Sequence, residues 1–158
     1  MNTLIERLLT TRDDLGQLAL RLPLGAIFIA HGAQKLFGSF GGYGLEGTGQ
    51  YMASLGLNPG YLMALMAGSA EFFGGVALVV GLLVRPAGMI LSLTMLVAIV
   101  TAHLGNGLFM SNGGYEFALA LLAGSIALAA NGAGGYSLDR LIINNLSSFT
   151  GQEKLGRA

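Results

Sequence analysis

The sequence predicts an all-α integral membrane protein: a four-helix bundle with short amphipathic helices at its termini and in its first outer loop. Three observations predict it. Of the 158 residues, 53% are hydrophobic and only 10% are charged, whereas about a quarter of a soluble domain is charged. The apolar residues fall in runs long enough to cross a hydrocarbon core of about 30 Å, which takes about 20 residues of helix. Glycine occurs 26 times, and in lipid small residues serve the close approach of helix backbones. A soluble bundle of this size would need far more charge on its outward faces. The formal net charge is zero, which gives no footing for nucleic-acid binding. With no cysteine, disulfides, thiol chemistry and thiolate metal sites are excluded. The length suits one domain, residues 1–158.

Residues 3–14 place Leu4, Ile5, Leu8 and Leu9 on one face, as an interfacial helix does. This stretch does not read as a cleavable signal peptide: charges extend to Asp14, and no small-residue cleavage site follows the apolar run. Spans are expected at about 15–37, 61–84, 86–104 and 115–130. Pro59 and Pro86 stand at helix starts, where a missing amide hydrogen costs nothing, and Pro23 lies inside the first span, where it can kink the helix. The glycine-rich start of loop 38–60 must turn tightly. A short helix from Gly47 to Leu55 follows on the outer surface, ended by Gly56, with Asn58 and Pro59 opening the second span. Residues 138–146 put Leu138, Leu141, Ile142 and Leu146 on one face, with Ser137 as N-cap. Four crossings place Arg7, Arg12, Arg85, Arg140, Lys154 and Arg157 on one side. Loops 38–60 and 105–114 contain no Lys or Arg, so the basic side, with both termini, is expected to be cytoplasmic. Lys35 is the exception, near the outer end of the first span.

Each expected span carries ionisable groups: Arg21, His31 and Lys35 on the first, Glu71 on the second, His103 on the third, Glu116 on the fourth. A charge near the bilayer centre costs about 2.5–3.5 kcal/mol on the insertion scale, so such residues face the bundle interior and pair. Glu71 lies about 16 Å deep from Gly60, and His31 about 9 Å from the outer end at Phe37. Side chains lean toward the helix N-terminus. His31 therefore leans inward from its span and Glu71 outward from the next, which predicts that the two meet. Gln34 and Lys35 share the helical face of His31. His103 leans toward the same depth, whereas Glu116 leans away, toward a mouth. Small residues flank these positions: Ala64, Ala67, Gly68, Gly74 and Gly75 beside Glu71, and Ala120, Ala123, Gly124 and Ala127 on the side of Glu116. Together they predict a polar pocket in the outer half of a tight bundle, with His31, Gln34, Lys35, Glu71, His103 and Glu116 as its candidate ligand-binding residues. Arg21, Arg85 and Asp139 are expected in structural ion pairs; Arg21 either pairs with Asp139 or snorkels to the headgroups. Imidazole and carboxylate suit several metals, but no His and Glu share a metal-type spacing on one helix, so no metal is expected. Neither a nucleotide-binding loop nor a serine triad is recognisable.

The stretches "RLPLGAIFIAHGAQKLFG", "GSAEFFGGVALVVGLLVRPAG", "MLVAIVTAHLGNGLFMSNGGYEFALALL" and "GAGGYSLDR" resemble, in order and spacing over about residues 18–140, the DoxX family of small bacterial inner-membrane proteins, in its YphA-like branch. The resemblance implies four transmembrane helices and carries over Arg21, His31, Lys35, Glu71, Arg85, His103, Gly114, Glu116 and Asp139 as pattern positions. It also implies a redox connection. The family name comes from a subunit of a thiosulfate:quinone oxidoreductase, and a relative is the membrane partner in a thiol-redox and superoxide-detoxifying complex. Two readings follow. In one, the pocket binds a quinone or another small lipophile for a redox complex, with His31 and Glu71 bonding a carbonyl oxygen and relaying protons while Lys35 offsets negative charge. In the other, the protein is a noncatalytic membrane scaffold or small-solute permease. The partners expected are the lipid bilayer, redox proteins that bring their own thiols, and a second copy of the chain.

Overall fold

The structure, a computed structural model, describes residues 13–145. Every regular element among them is helical. In chain order these are α1 (Asp13–Phe37), α2 (Gly44–Ser54), α3 (Gly60–Val80), α4 (Val84–Ala98), α5 (Glu116–Asn131) and α6 (138–145). Beyond Ala98, α4 runs on through a π-helical turn, Ile99–His103, and a 3-10 turn, Leu104–Asn106. Among the described residues, three stretches are long and apolar enough to cross a membrane: Leu15–Phe37, Gly60–Val80 and Val84–Asn106. The fourth, Glu116–Asn131, is apolar but shorter. The interfacial helix expected over 3–14 falls almost wholly outside the described residues, as do Arg7, Arg12, Lys154 and Arg157.

The helices pack around Leu24 and Phe28 of α1, Leu78 of α3, Leu91 and Met95 of α4, and Leu121 and Leu128 of α5. Glycine sets how closely they approach. A Cβ on Gly32 would stand 2.4 Å from the Phe72 amide nitrogen, and one on Gly75 would stand 2.7 Å from the Gly25 carbonyl oxygen. α1 and α3 therefore cross backbone to backbone. On α3 the small face expected around Glu71 is the packed one: Ala64, Gly68, Glu71 and Gly75 are buried. On α5 the expectation is displaced. Ala120 and Ala123 are exposed, and Ala118, Leu121, Ser125 and Leu128 are buried instead. A helix apolar on every side has no hydrophobic preference for one face, so the larger leucines take the core.

Arg85, expected in the turn between the second and third spans, lies in the first turn of α4. The turn comes earlier because Gly81, at φ 71°, ends α3 at Val80. The Leu82 amide reaches the Ala77 carbonyl at 3.0 Å and the Gly81 amide the Leu78 carbonyl at 3.2 Å, the paired closure of a Schellman motif. Two charged residues from elsewhere then fasten this turn. Arg21, 2% exposed, donates Nη1 to the carbonyls of Leu78 (2.8 Å) and Val79 (2.6 Å), and Nη2 to the Tyr136 carbonyl. Asp139 accepts the Leu83 amide (2.8 Å) and the Val84 amide (3.1 Å), capping the start of α4. Ser137 caps α6 by accepting the Arg140 amide at 3.2 Å. Arg21 and Asp139 thus act on backbone groups at helix ends rather than as an ion pair. The exposed Arg85 forms no ion pair among the described residues. Carbonyls and amides left unpaired at a helix terminus need partners wherever they are buried, which is why these charged side chains serve them. Asp139→Ala is expected to lower stability by about 1–2 kcal/mol, the worth of a helix cap, in thermal unfolding followed by circular dichroism in detergent.

Candidate functional site

The C-terminal half of α1 carries polar side chains over about a turn and a half. His31, Gln34 and Lys35 succeed one another there, and Glu71 faces them from α3. The Lys35 Nζ lies 2.5 Å from the Glu71 Oε2. Glu71 is 3% exposed and the Lys35 side chain 25%. The close α1–α3 crossing at Gly32 and Phe72 brings the two within reach. Glu71 therefore pairs with Lys35, where the direction of side-chain lean had pointed to His31. The difference is one of azimuth. His31 sits a turn earlier on α1 and is carried toward α5, where its ring rests 5.8 Å from that of Phe117 at an interplanar angle of 50°.

Behind the ion pair lies a cavity of about 500 Å³. His31, Lys35, Glu71 and His103 all line it, so four of the six candidate residues share one space. Its walls are otherwise mostly apolar: Phe28, Met63, Ala67, Met95 and Leu121 among them. Four of its lining residues, Met66, Ile90, Leu93 and Val97, are also exposed on the outer surface of α3 and α4. Between these two helices the cavity opens sideways, toward the surface that apolar side chains dominate. The volume lies within the roughly 300–1,000 Å³ of small-molecule sites, which are mostly apolar with a few placed polar groups.

His103 ends the π-helical turn, a local widening of the helix frequently found at functional sites. Its Nδ1 lies 2.8 Å from the Gly113 carbonyl oxygen. A carbonyl only accepts, so Nδ1 carries the hydrogen, and in the neutral ring Nε2 is left as an acceptor. The loop that supplies this carbonyl is itself closed. The Glu116 Oε1 accepts the Met110 amide at 2.6 Å, and the Glu116 amide donates to Leu108 at 2.9 Å. Gly114 is buried where a Cβ would meet the Gly107 carbonyl at 2.3 Å. Glu116 is thus engaged by its own loop and does not line the cavity. Gln34 does not line it either; its Nε2 donates to the Phe40 carbonyl at 3.4 Å, and it borders a neighbouring depression.

The short helix expected over residues 47–55 is present as α2, but the sequence puts it on the outer surface and gives no hint that Thr48, Tyr51, Met52 and Leu55 form part of the cavity wall. Gly49 and Gly60 hold it there, since a Cβ on Gly60 would stand 2.1 Å from the Gly49 carbonyl oxygen. The sequence signal was the pair of glycines at the α2–α3 contact, which does not by itself name the partner.

The chain is 38% identical over 129 residues to the Bacillus subtilis (strain 168) protein named "Putative oxidoreductase CatD", covering 82% of this chain and 88% of that one. It is 33% identical over 136 residues to the Escherichia coli (strain K12) "Inner membrane protein YqjF", covering 82% of this chain and 94% of that one. No solved structure matches it. The profile of the DoxX family matches residues 16–104, which hold α1 to α4 and with them His31, Lys35, Glu71 and His103; this protein belongs to the DoxX family.

Proposed function

We propose that this protein is a four-span protein of the bacterial inner membrane. Its cavity takes a membrane-dissolved lipophile with a polar head, of quinone type, and it acts as the membrane subunit of a redox complex. The observation that carries the reading is the mostly apolar cavity of about 500 Å³ in which the part-buried Lys35–Glu71 pair stands beside His31 and His103. An isolated charge pair in lipid is costly, and ionisable residues retained there mark sites of function. The opening beside Met66, Ile90, Leu93 and Val97 lets such a molecule load from the bilayer without crossing water. Inside, the Lys35 ammonium donates to a carbonyl oxygen, the His103 Nε2 accepts from a hydroxyl, and Glu71 exchanges a proton. The "oxidoreductase" in the name of the Bacillus relative fits this use. At about 1.5 Å per residue α5 rises about 24 Å, and local bilayer thinning accommodates so short a fourth span. The ends marked by Arg85 and Arg140 face the cytoplasm, by the excess of basic residues there.

The test is the lipid content of the purified protein. Full-length chain extracted from bacterial membranes in mild detergent is expected to retain a quinone that chromatography of its organic extract identifies. In His31→Ala and in Glu71→Gln, each eluting as a folded species, that quinone is expected to be lost. A wild-type extract holding only bulk phospholipid, from a protein that still unfolds cooperatively, overturns the reading and favours a noncatalytic scaffold or small-solute permease.

A further inference from the structure

Lys35 borders two spaces. One is the cavity; the other is a depression of about 630 Å³ under the glycine-rich loop, bounded by Gln34, Gly42 and Gln50 among others. Thr48 and Tyr51 border both as well. The wall between the spaces is therefore one layer of side chains, made by Lys35, Thr48 and Tyr51. The two sides differ in chemistry. The depression is the more polar of the two, with the amides of Gln34 and Gln50, the hydroxyls of Thr48, Tyr43 and Tyr51 and glycine backbone in its wall, while the cavity is walled mostly by aliphatic and aromatic groups. Glu71 borders the cavity alone. The floor of the depression depends on Gly42, whose Cβ would stand 2.5 Å from the backbone of Gln34. A carboxylate this deep in hydrocarbon gains or loses a proton only along polar groups or water, and the depression supplies the polar route that ends at its partner.

We propose that this depression is the aqueous mouth of the cavity. Water and protons reach Glu71 through it, past a partition formed by Lys35, Thr48 and Tyr51, while the lipophile comes from the bilayer side. The inference rests on the cavity as the site proposed above, but its test reads water access and not ligand content, so each can fail alone.

The natural chain has no cysteine, so single cysteines report cleanly. In lipid nanodiscs, where both faces meet water, Thr48→Cys is expected to react with a charged methanethiosulfonate. Ala67→Cys, which borders the cavity alone, is expected to react with an apolar maleimide and to resist the charged reagent. Removing the partition by Tyr51→Ala is expected to turn Ala67→Cys from unreactive to fully reactive toward the charged reagent. Tyr51 is 53% exposed, so its truncation spares the core; Lys35→Ala combined with Glu71→Gln, which strands no charge, provides a second opening should that variant fail to fold. The proposal is overturned if Thr48→Cys reacts with the apolar reagent only, or if Ala67→Cys takes the charged reagent with the partition intact. It is equally overturned if Ala67→Cys stays inert in every folded variant that opens the partition.

Discussion

Lys35→Met is expected to destabilise the protein by about 3 kcal/mol, because it leaves the Glu71 carboxylate buried without its partner. Glu71 is 3% exposed and borders the cavity alone, not the depression. Glu71→Gln is expected to cost less. The Lys35 ammonium it leaves behind is on a flexible stem, a quarter exposed, and can swing into the polar depression beside α2. Lys35→Met combined with Glu71→Gln is expected to recover most of the loss, since an apolar group facing a neutral amide buries no charge. Thermal unfolding of the four proteins in one detergent checks the order: wild type most stable, then the double variant and Glu71→Gln, with Lys35→Met last. Equal effects of the two single variants would show that the carboxylate is hydrated, against the burial that places it in the wall of the cavity.

Gly32→Ala is expected to be the most damaging change of a single methyl group. The added Cβ would stand 2.4 Å from the Phe72 amide nitrogen and 2.7 Å from its Cα. The obstacle is backbone, so no rotamer relieves it, and α1 and α3 must part. Overpacking of this kind costs about 1–3 kcal/mol and more where relief needs a helix to move. The consequence at the site is direct, because Lys35 lies one turn from Gly32 and Glu71 precedes Phe72. Separating the helices therefore lengthens the ion pair as well. Gly16→Ala is the control: it adds the same atom to the same helix where nothing lies within 4 Å. That variant is expected to be neutral or stabilising by no more than about 1 kcal/mol, the helix preference of Ala over Gly. Parallel melting curves of the two variants, with the quinone content of each, check both statements.

The distribution of charge along the chain was enough to find most of the candidate site. A titratable residue in an apolar run is conspicuous, so His31, Lys35, Glu71 and His103 are visible without coordinates, and all four border one cavity. Helix boundaries followed from glycine and proline in the same way, with Pro59 capping α3 and Gly56 beyond α2 at φ 83°. Arg21 and Asp139 were visible too, but their targets were not. Charged side chains suggest charged partners, whereas these two serve carbonyls and amides at helix ends that any residue type supplies.

From composition and periodicity alone, this chain was committed to long apolar helices that carry few ionisable groups, since spacing and hydropathy are properties of the chain itself. Which of those groups would touch required the rotation of each helix about its axis, and that is set by packing. Gly32 against Phe72 turned Lys35, and not His31, toward Glu71. Gly49 against Gly60 laid α2 along the cavity, and packing buried Leu121 and Leu128 of α5 in place of Ala120 and Ala123. Nearly uniform hydrophobicity around a helix carries no preferred azimuth, so the fit of one surface into another had to choose it.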